Sequence, residues 1–203
     1  MWKFLIFGFT YAFAAAVQPG PFQTYLMSET LSRGWRRTLP AAFAPLLSDA
    51  PIIAVALLGL SRIPEEMVRF LHLAGALFLF YLSYRAFRTW RRYDSSCTAD
   101  TSNGHRPLFK AMFVNLLNPN PWLGWSLVMG PLFLEGYREA PAHGFALIVG
   151  FYGTMVSCLI GLIMLFAFAR KLGPRVNKIM LGLSVLALVF FGVYQLYLGI
   201  HTG

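Results

Sequence analysis

The chain has 203 residues, of which 57% are hydrophobic and only 12% charged, and its mean hydropathy is +0.59. A soluble domain carries roughly 25% charged residues, so the composition excludes one and fits an integral membrane protein. The net charge of +9 sits in short clusters between apolar runs rather than along one stripe, which argues against a nucleic-acid partner.

Crossing a bilayer takes about 20 apolar residues in a helix, and six runs meet that length: 4–31, 39–60, 67–87, 108–134, 144–169 and 176–200. The first begins like a leader, with Lys3, an apolar stretch and Phe13-Ala14-Ala15-Ala16. It also continues past Pro21, so it is expected to be a retained span rather than a cleaved segment. Near its middle stands Gln18-Pro19-Gly20-Pro21. The two prolines remove two N–H donors and direct their rings at the carbonyls of Ala15 and Val17. One hundred residues on, the fourth run carries Asn118-Pro119-Asn120-Pro121. In hydrocarbon each freed backbone group costs several kcal/mol, so both breaks are expected to be buried in protein or to line a wet cavity. Matched proline-broken spans in the two halves of a chain point to a transporter binding site.

The links between runs are short except around 93–106, a polar, turn-rich stretch expected to be a flexible linker between a first three-helix unit, 1–92, and a second, 107–203. Arg33, Arg36 and Arg37 lie in the first link. Arg85, Arg88, Arg91, Arg92, Arg106 and Lys110 lie around the third, and Arg170, Lys171, Arg175 and Lys178 around the fifth. Thirteen of the seventeen basic residues thus fall on one side, against Lys3, Arg62, Arg69 and Arg138 on the other. The positive-inside rule puts the three basic links in the cytoplasm and both termini outside. Three helices per unit is an odd number, so the second unit runs opposite to the first. The expected fold is an all-α membrane protein of six transmembrane helices, built as two inverted repeats with broken first and fourth helices.

These residues resemble the lysine exporter (LysE/RhtB) family. The matching features are Gln18-Pro19-Gly20-Pro21, Arg33-Gly34, Ser48-Asp49, Gly75-Ala76-Leu77 through Tyr81-Leu82, and Asn118-Pro119-Asn120-Pro121. The resemblance covers most of the chain. It implies a six-helix fold in the plasma membrane (the inner membrane of a bacterium) and efflux of amino acids or similar small solutes driven by the proton motive force. Prolines 40, 45 and 51 stand where many relatives have glycine, and Phe22 where amino-acid exporters often have a polar residue. The substrate is therefore not carried over.

Asp49 is the one carboxylate expected near the middle of a span. At a helix centre a charged Asp costs about 2.5–3.5 kcal/mol on insertion scales, so it is either protonated for much of its cycle or faces a polar cavity. That makes it the candidate proton carrier; the alternative is a bond to the Leu47 carbonyl freed by Pro51. Half-helix ends offer N–H groups to a carboxylate and carbonyls to a cation. The candidate substrate site is therefore Gln18, Pro19, Gly20, Pro21, Asn118, Pro119, Asn120 and Pro121. The amides of Gln18, Asn118 and Asn120 could instead cap the broken ends. Ser48, Thr154 and Ser157 are further candidates, although Ser and Thr in such helices often bond their own i−4 carbonyl. Trp122 and Trp125, after the second break, could close over a substrate or line the lipid face, and packing is the favoured expectation.

His72, His143 and His201 fall near the outer ends of their runs and are expected to be solvated, as are Glu65, Glu66, Glu135 and Glu139. No catalytic, ATP-binding or metal-ligand pattern appears, so neither enzyme activity nor a cofactor or metal is expected. The rivals to a proton-coupled exporter are a metal or other ion efflux protein and a non-transporting membrane subunit. A thiol redox enzyme would need a cysteine near each break, where Gln18 and Asn118 stand. Cys97 and Cys158 form no disulfide framework. A homodimer is compatible with so short a chain, though no motif specifies one.

Overall fold

The computed structural model describes residues 1–57, 65–91 and 106–201, and every regular element in them is helical. The first run forms two helices, α1 (Trp2–Val17) and α2 (Pro21–Arg33). Gln18 leaves helical space (φ −58°, ψ 122°) as the residue preceding a proline does, after donating its N–H to the Ala14 carbonyl. Pro21 takes the first position of α2, where its missing N–H costs nothing. Gly34, with φ +85°, then ends α2 at the Arg33-Gly34 link.

A short α-helix, α3 (Trp35–Thr38), leads into the second run, which itself begins as a tighter 3₁₀ turn over Leu39–Phe43 that contains Pro40. Then α4 (Ala44–Leu57) continues through Pro51 without ending. The third run is α5 (Glu65–Arg91). The fourth is split into α6 (Arg106–Leu116), α7 (Pro119–Gly124), a widened π turn over Trp125–Met129, and α8 (Gly130–Glu139). The widening precedes Pro131 and carries a bond from the Gly130 N–H back to the Trp125 carbonyl. The last two runs are α9 (Pro141–Lys171) and α10 (Pro174–His201).

Among the described residues, four helical stretches are long and apolar enough to cross a membrane: Trp35–Leu57, Arg69–Arg91, Pro141–Lys171 and Pro174–His201. The first and fourth runs are missing from this set because their breaks divide them. Trp2–Val17 and Pro107–Leu116 are apolar but each is shorter than a crossing needs. Most of the linker expected at 93–106 lies outside the described residues, as does Cys97.

Helix α1 lies along α9, and α5 along α10, with α2 against both α9 and α10 and α4 against α6. The α1–α9 approach is close because Gly8 faces the backbone of Leu147 and Gly150 faces that of Leu5; a Cβ at either would strike a carbonyl oxygen. Two apolar clusters result. One gathers Phe22, Tyr25, Leu26, Leu82 and Leu188, and the other Phe4, Ile52, Trp125, Leu147 and Phe151. Outward, α10 exposes Ile179, Leu183, Leu186, Phe190 and Tyr197, an apolar face suited to lipid. Lys3 of α1 is 3.4 Å from Glu135 of α8, so those two ends share a face. Gly34 and Arg170 meet at another point, bringing the first and fifth links together.

One expectation about the outer ends does not hold. His72 is buried, packed against Gly199 of α10, with no hydrogen-bond partner for its Nδ1 among the described residues. The small residue opposite lets α5 and α10 close over the imidazole. By contrast, His143 pairs with Glu139 (3.1 Å), and His201 is exposed, its Nδ1 2.9 Å from the Tyr197 carbonyl.

Candidate functional site

The two breaks meet. Between the apolar clusters lies a cavity of about 160 Å³ whose wall includes Gln18, Pro19, Gly20 and Pro21 from the first break. Asn118, Asn120 and Pro121 from the second also reach it. Pro119 is buried next to it but off its surface.

Asp49, only 3% exposed, reaches the cavity from α4. Its carboxyl receives three donors from three other elements. The Asn115 amide of α6 donates to Oδ1 at 2.6 Å, the Tyr152 hydroxyl of α9 to Oδ2 at 3.0 Å, and the Trp125 indole N–H to Oδ2 at 3.4 Å. The Asn115 amide also donates to the Ser48 hydroxyl at 2.8 Å, which in turn donates to the Ala44 carbonyl at 2.9 Å. Ser48 therefore stands behind Asp49 rather than on the cavity wall. The carboxyl is held by partners across the helix interface; its hydrogen bonds run to side chains, none to the Leu47 carbonyl.

The two helix starts at the cavity differ. At the first break Gln23, not Gln18, satisfies the end of α1: its amide donates to the Ala15 and Ala16 carbonyls, both at 3.2 Å. No side chain caps α2, whose first bond is Thr24 N–H to the Gly20 carbonyl at 3.0 Å. The N–H groups of Phe22 and Gln23 are thus left for whatever occupies the space in front of them. At the second break Asn118 caps α7, its Oδ1 accepting the Asn120 N–H at 3.1 Å, while Pro119 and Pro121 have no N–H at all. That helix end presents no free donor in its first three positions.

Two candidates lie elsewhere. Thr154 and Ser157 are not on the cavity wall, because α9 turns Phe151, Met155 and Leu159 toward it. At 3.6 residues per turn Ser157 falls on the far side and Thr154 on the shoulder. Ser157 is exposed and bonds the Gly153 carbonyl at 2.7 Å, whereas Thr154 borders a separate apolar groove with Leu5 and Phe9. Trp125, for which packing was the favoured expectation, lines the cavity and touches Asp49. Trp122 does pack, with its indole N–H on the Leu116 carbonyl at 2.9 Å.

Asn115, Tyr152 and Gln23 escaped the sequence reading. Asn115 had a signal, being an amide inside an apolar run; Tyr152 had none, since aromatic residues fill α9. A buried ion pair was also missed. Glu29 and Arg33 of α2 sit 2.9 Å apart beside a smaller void of about 40 Å³ that Arg85 and Lys110 border. Among the described residues no group of three or more His, Cys, Asp or Glu side chains could hold a metal ion.

The family model for LysE type translocators matches residues 13–199, which spans both breaks and Asp49. The chain belongs to the LysE type translocator family. It is also 30% identical over 109 residues to an uncharacterized membrane protein of Pseudomonas aeruginosa, the match covering 50% of each chain. The chain therefore spans about half the length of that relative. No solved structure matches. Family membership and the apolar helices make the chain an integral membrane protein of a transporter family.

Proposed function

We propose that the protein is a secondary exporter of amino acids or related small solutes, working by proton antiport through Asp49 in the plasma membrane, the inner membrane of a bacterium. The observation that carries this reading is a buried carboxyl on the wall of a cavity between two broken helices, held by donors from three other elements. Protonation of Asp49 cancels its charge and changes what it can accept, so its donors can rearrange. Solute arriving from the cytoplasm and a proton arriving from outside then compete for the same cavity, and each exit leaves room for the other.

Alternating exposure of that cavity needs two units that rock against each other, and the helix pairings support inverted repeats. Exchanging the first unit with the second turns α1 against α9 into α6 against α4, and α2 against α10 into the α7–α5 contact. The α5–α10 contact maps onto itself. With the basic links in the cytoplasm, both termini lie outside.

The test is reconstitution in proteoliposomes with an imposed pH gradient. Wild-type protein accumulates or expels an amino acid in step with the gradient. Asp49→Asn, of nearly the same shape, inserts normally but loses the gradient-driven flux by about 100-fold or more. Full gradient-driven flux in the Asn variant would remove the proton carrier from the proposal.

A further inference from the structure

Resting on the reading of the cavity as the transport site, we infer that this site recognises its solute through an ammonium group and does not require a carboxylate, so that simple organic amines bind it as amino acids do. Three observations carry this. First, among the described residues Asp49 is the one charged side chain on the cavity wall; no described Lys, Arg or His lines it. A carboxylate has about four lone-pair positions, of which Asn115, Tyr152 and Trp125 use three. One acceptor position and a full negative charge remain for an arriving donor.

Second, the wall around Asp49 is aromatic. Trp125 and Phe151 meet edge to face with centroids 5.6 Å apart, Tyr11 lies 6.2 Å from Phe151, and Phe22 closes the same cavity. Aromatic faces attract a cation and do nothing for an anion, and Trp is the strongest of them. Third, the cavity offers a carboxylate no charged partner: Asn118 and two prolines close the α7 end, and the uncapped start of α2 brings only backbone N–H groups and a helix end's partial charge. A volume of about 160 Å³ lies below the roughly 300–1,000 Å³ of drug-sized sites, so the class is small amines rather than bulky cations.

Among the described residues, the other titratable groups at the site are the phenol of Tyr11 on α1, which lines the same cavity, and that of Tyr152 on α9, which bonds Asp49. Neither carries positive charge, so the pull on a cation falls when Asp49 takes a proton, and amine binding weakens as pH falls.

The experiment uses the purified full chain in nanodiscs and titration calorimetry with two matched series. L-leucine is compared with 3-methylbutylamine, which lacks the carboxylate, and with 4-methylpentanoate, which lacks the ammonium; L-lysine, 1,5-diaminopentane and 6-hydroxyhexanoate form the second set. The expected result is that in at least one series the amine binds within about tenfold of its parent amino acid, the acid shows no binding, and Asp49→Asn weakens the amine at least about tenfold. Binding of the acids without the amines overturns the inference, as does amine binding that Asp49→Asn leaves unchanged. Amino acids that bind and are exported only with their carboxylate overturn it while leaving the exporter reading intact. Amines that bind without any gradient-driven flux do the reverse, and no binding in either series sinks both. The wild-type comparison needs no variant to fold.

Discussion

The two broken helices use the same proline-rich device to opposite ends. At the first break, Gln23 satisfies the carbonyls ending α1 and leaves α2 uncapped, with Phe22 and Gln23 on the cavity wall. At the second, Asn118 and two prolines silence α7, and the polar effort moves to the flanking Asn115 and Trp125, both bound to Asp49. The difference teaches that matched breaks in an apparent repeat need not do matched work. The flanks of the second break hold the ionisable group, and the first break leaves its helix start uncapped. A fold with two identical open ends would have no such division.

Substitutions can break or sharpen that comparison. The largest effect after Asp49 itself is expected at Asn115→Ala, which strips Asp49 and Ser48 of a shared donor deep in the protein. Leaving a buried charged acceptor short costs about 3 kcal/mol, so the melting temperature in detergent drops sharply and exchange in proteoliposomes falls at least about tenfold. Gln23→Ala at the first break frees two α1 carbonyls at once. It should cost about 1–3 kcal/mol in chemical denaturation and widen the cavity's solute preference, since the α2 entrance loses its brace. Asn118→Ala is expected to be mildest, at about 1 kcal/mol for a lost N-cap. Its decisive readout is transport, which should stay near wild type. A collapse of solute binding in Asn118→Ala, with stability kept, would mean that both breaks bind solute and that their asymmetry has no functional weight.

What the sequence displays and what it hides divides along physical lines. Backbone breaks were legible because proline and glycine act locally: Pro19 and Pro21 end one helix and start another whatever surrounds them. Asp49 was legible because a lone acid in an apolar run has few explanations. The partners of Asp49 were not, since Asn115, Trp125 and Tyr152 converge only once α4, the fourth run and α9 are packed, and no local pattern records helix rotation. The same blindness placed Thr154 and Ser157 with the site, though α9 turns them away, and put His72 in water, though α10 covers it. The capping exchange is the finest case. Gln18 and Gln23 are both amides beside the same break, and only the fold of the turn decides which one reaches Ala15 and Ala16.

The central claim is that one carboxyl, Asp49, gives up its proton when the cavity fills. Proton release answers this directly: purified protein in weakly buffered detergent solution is titrated with a bound amino acid or amine across the acid-to-neutral range while a pH indicator is followed. The account predicts release that approaches one proton per chain at its maximum, fades toward alkaline pH where Asp49 is already ionised, and is absent in Asp49→Asn. Solute binding with no release at any pH, or equal release from the Asn variant, would contradict it.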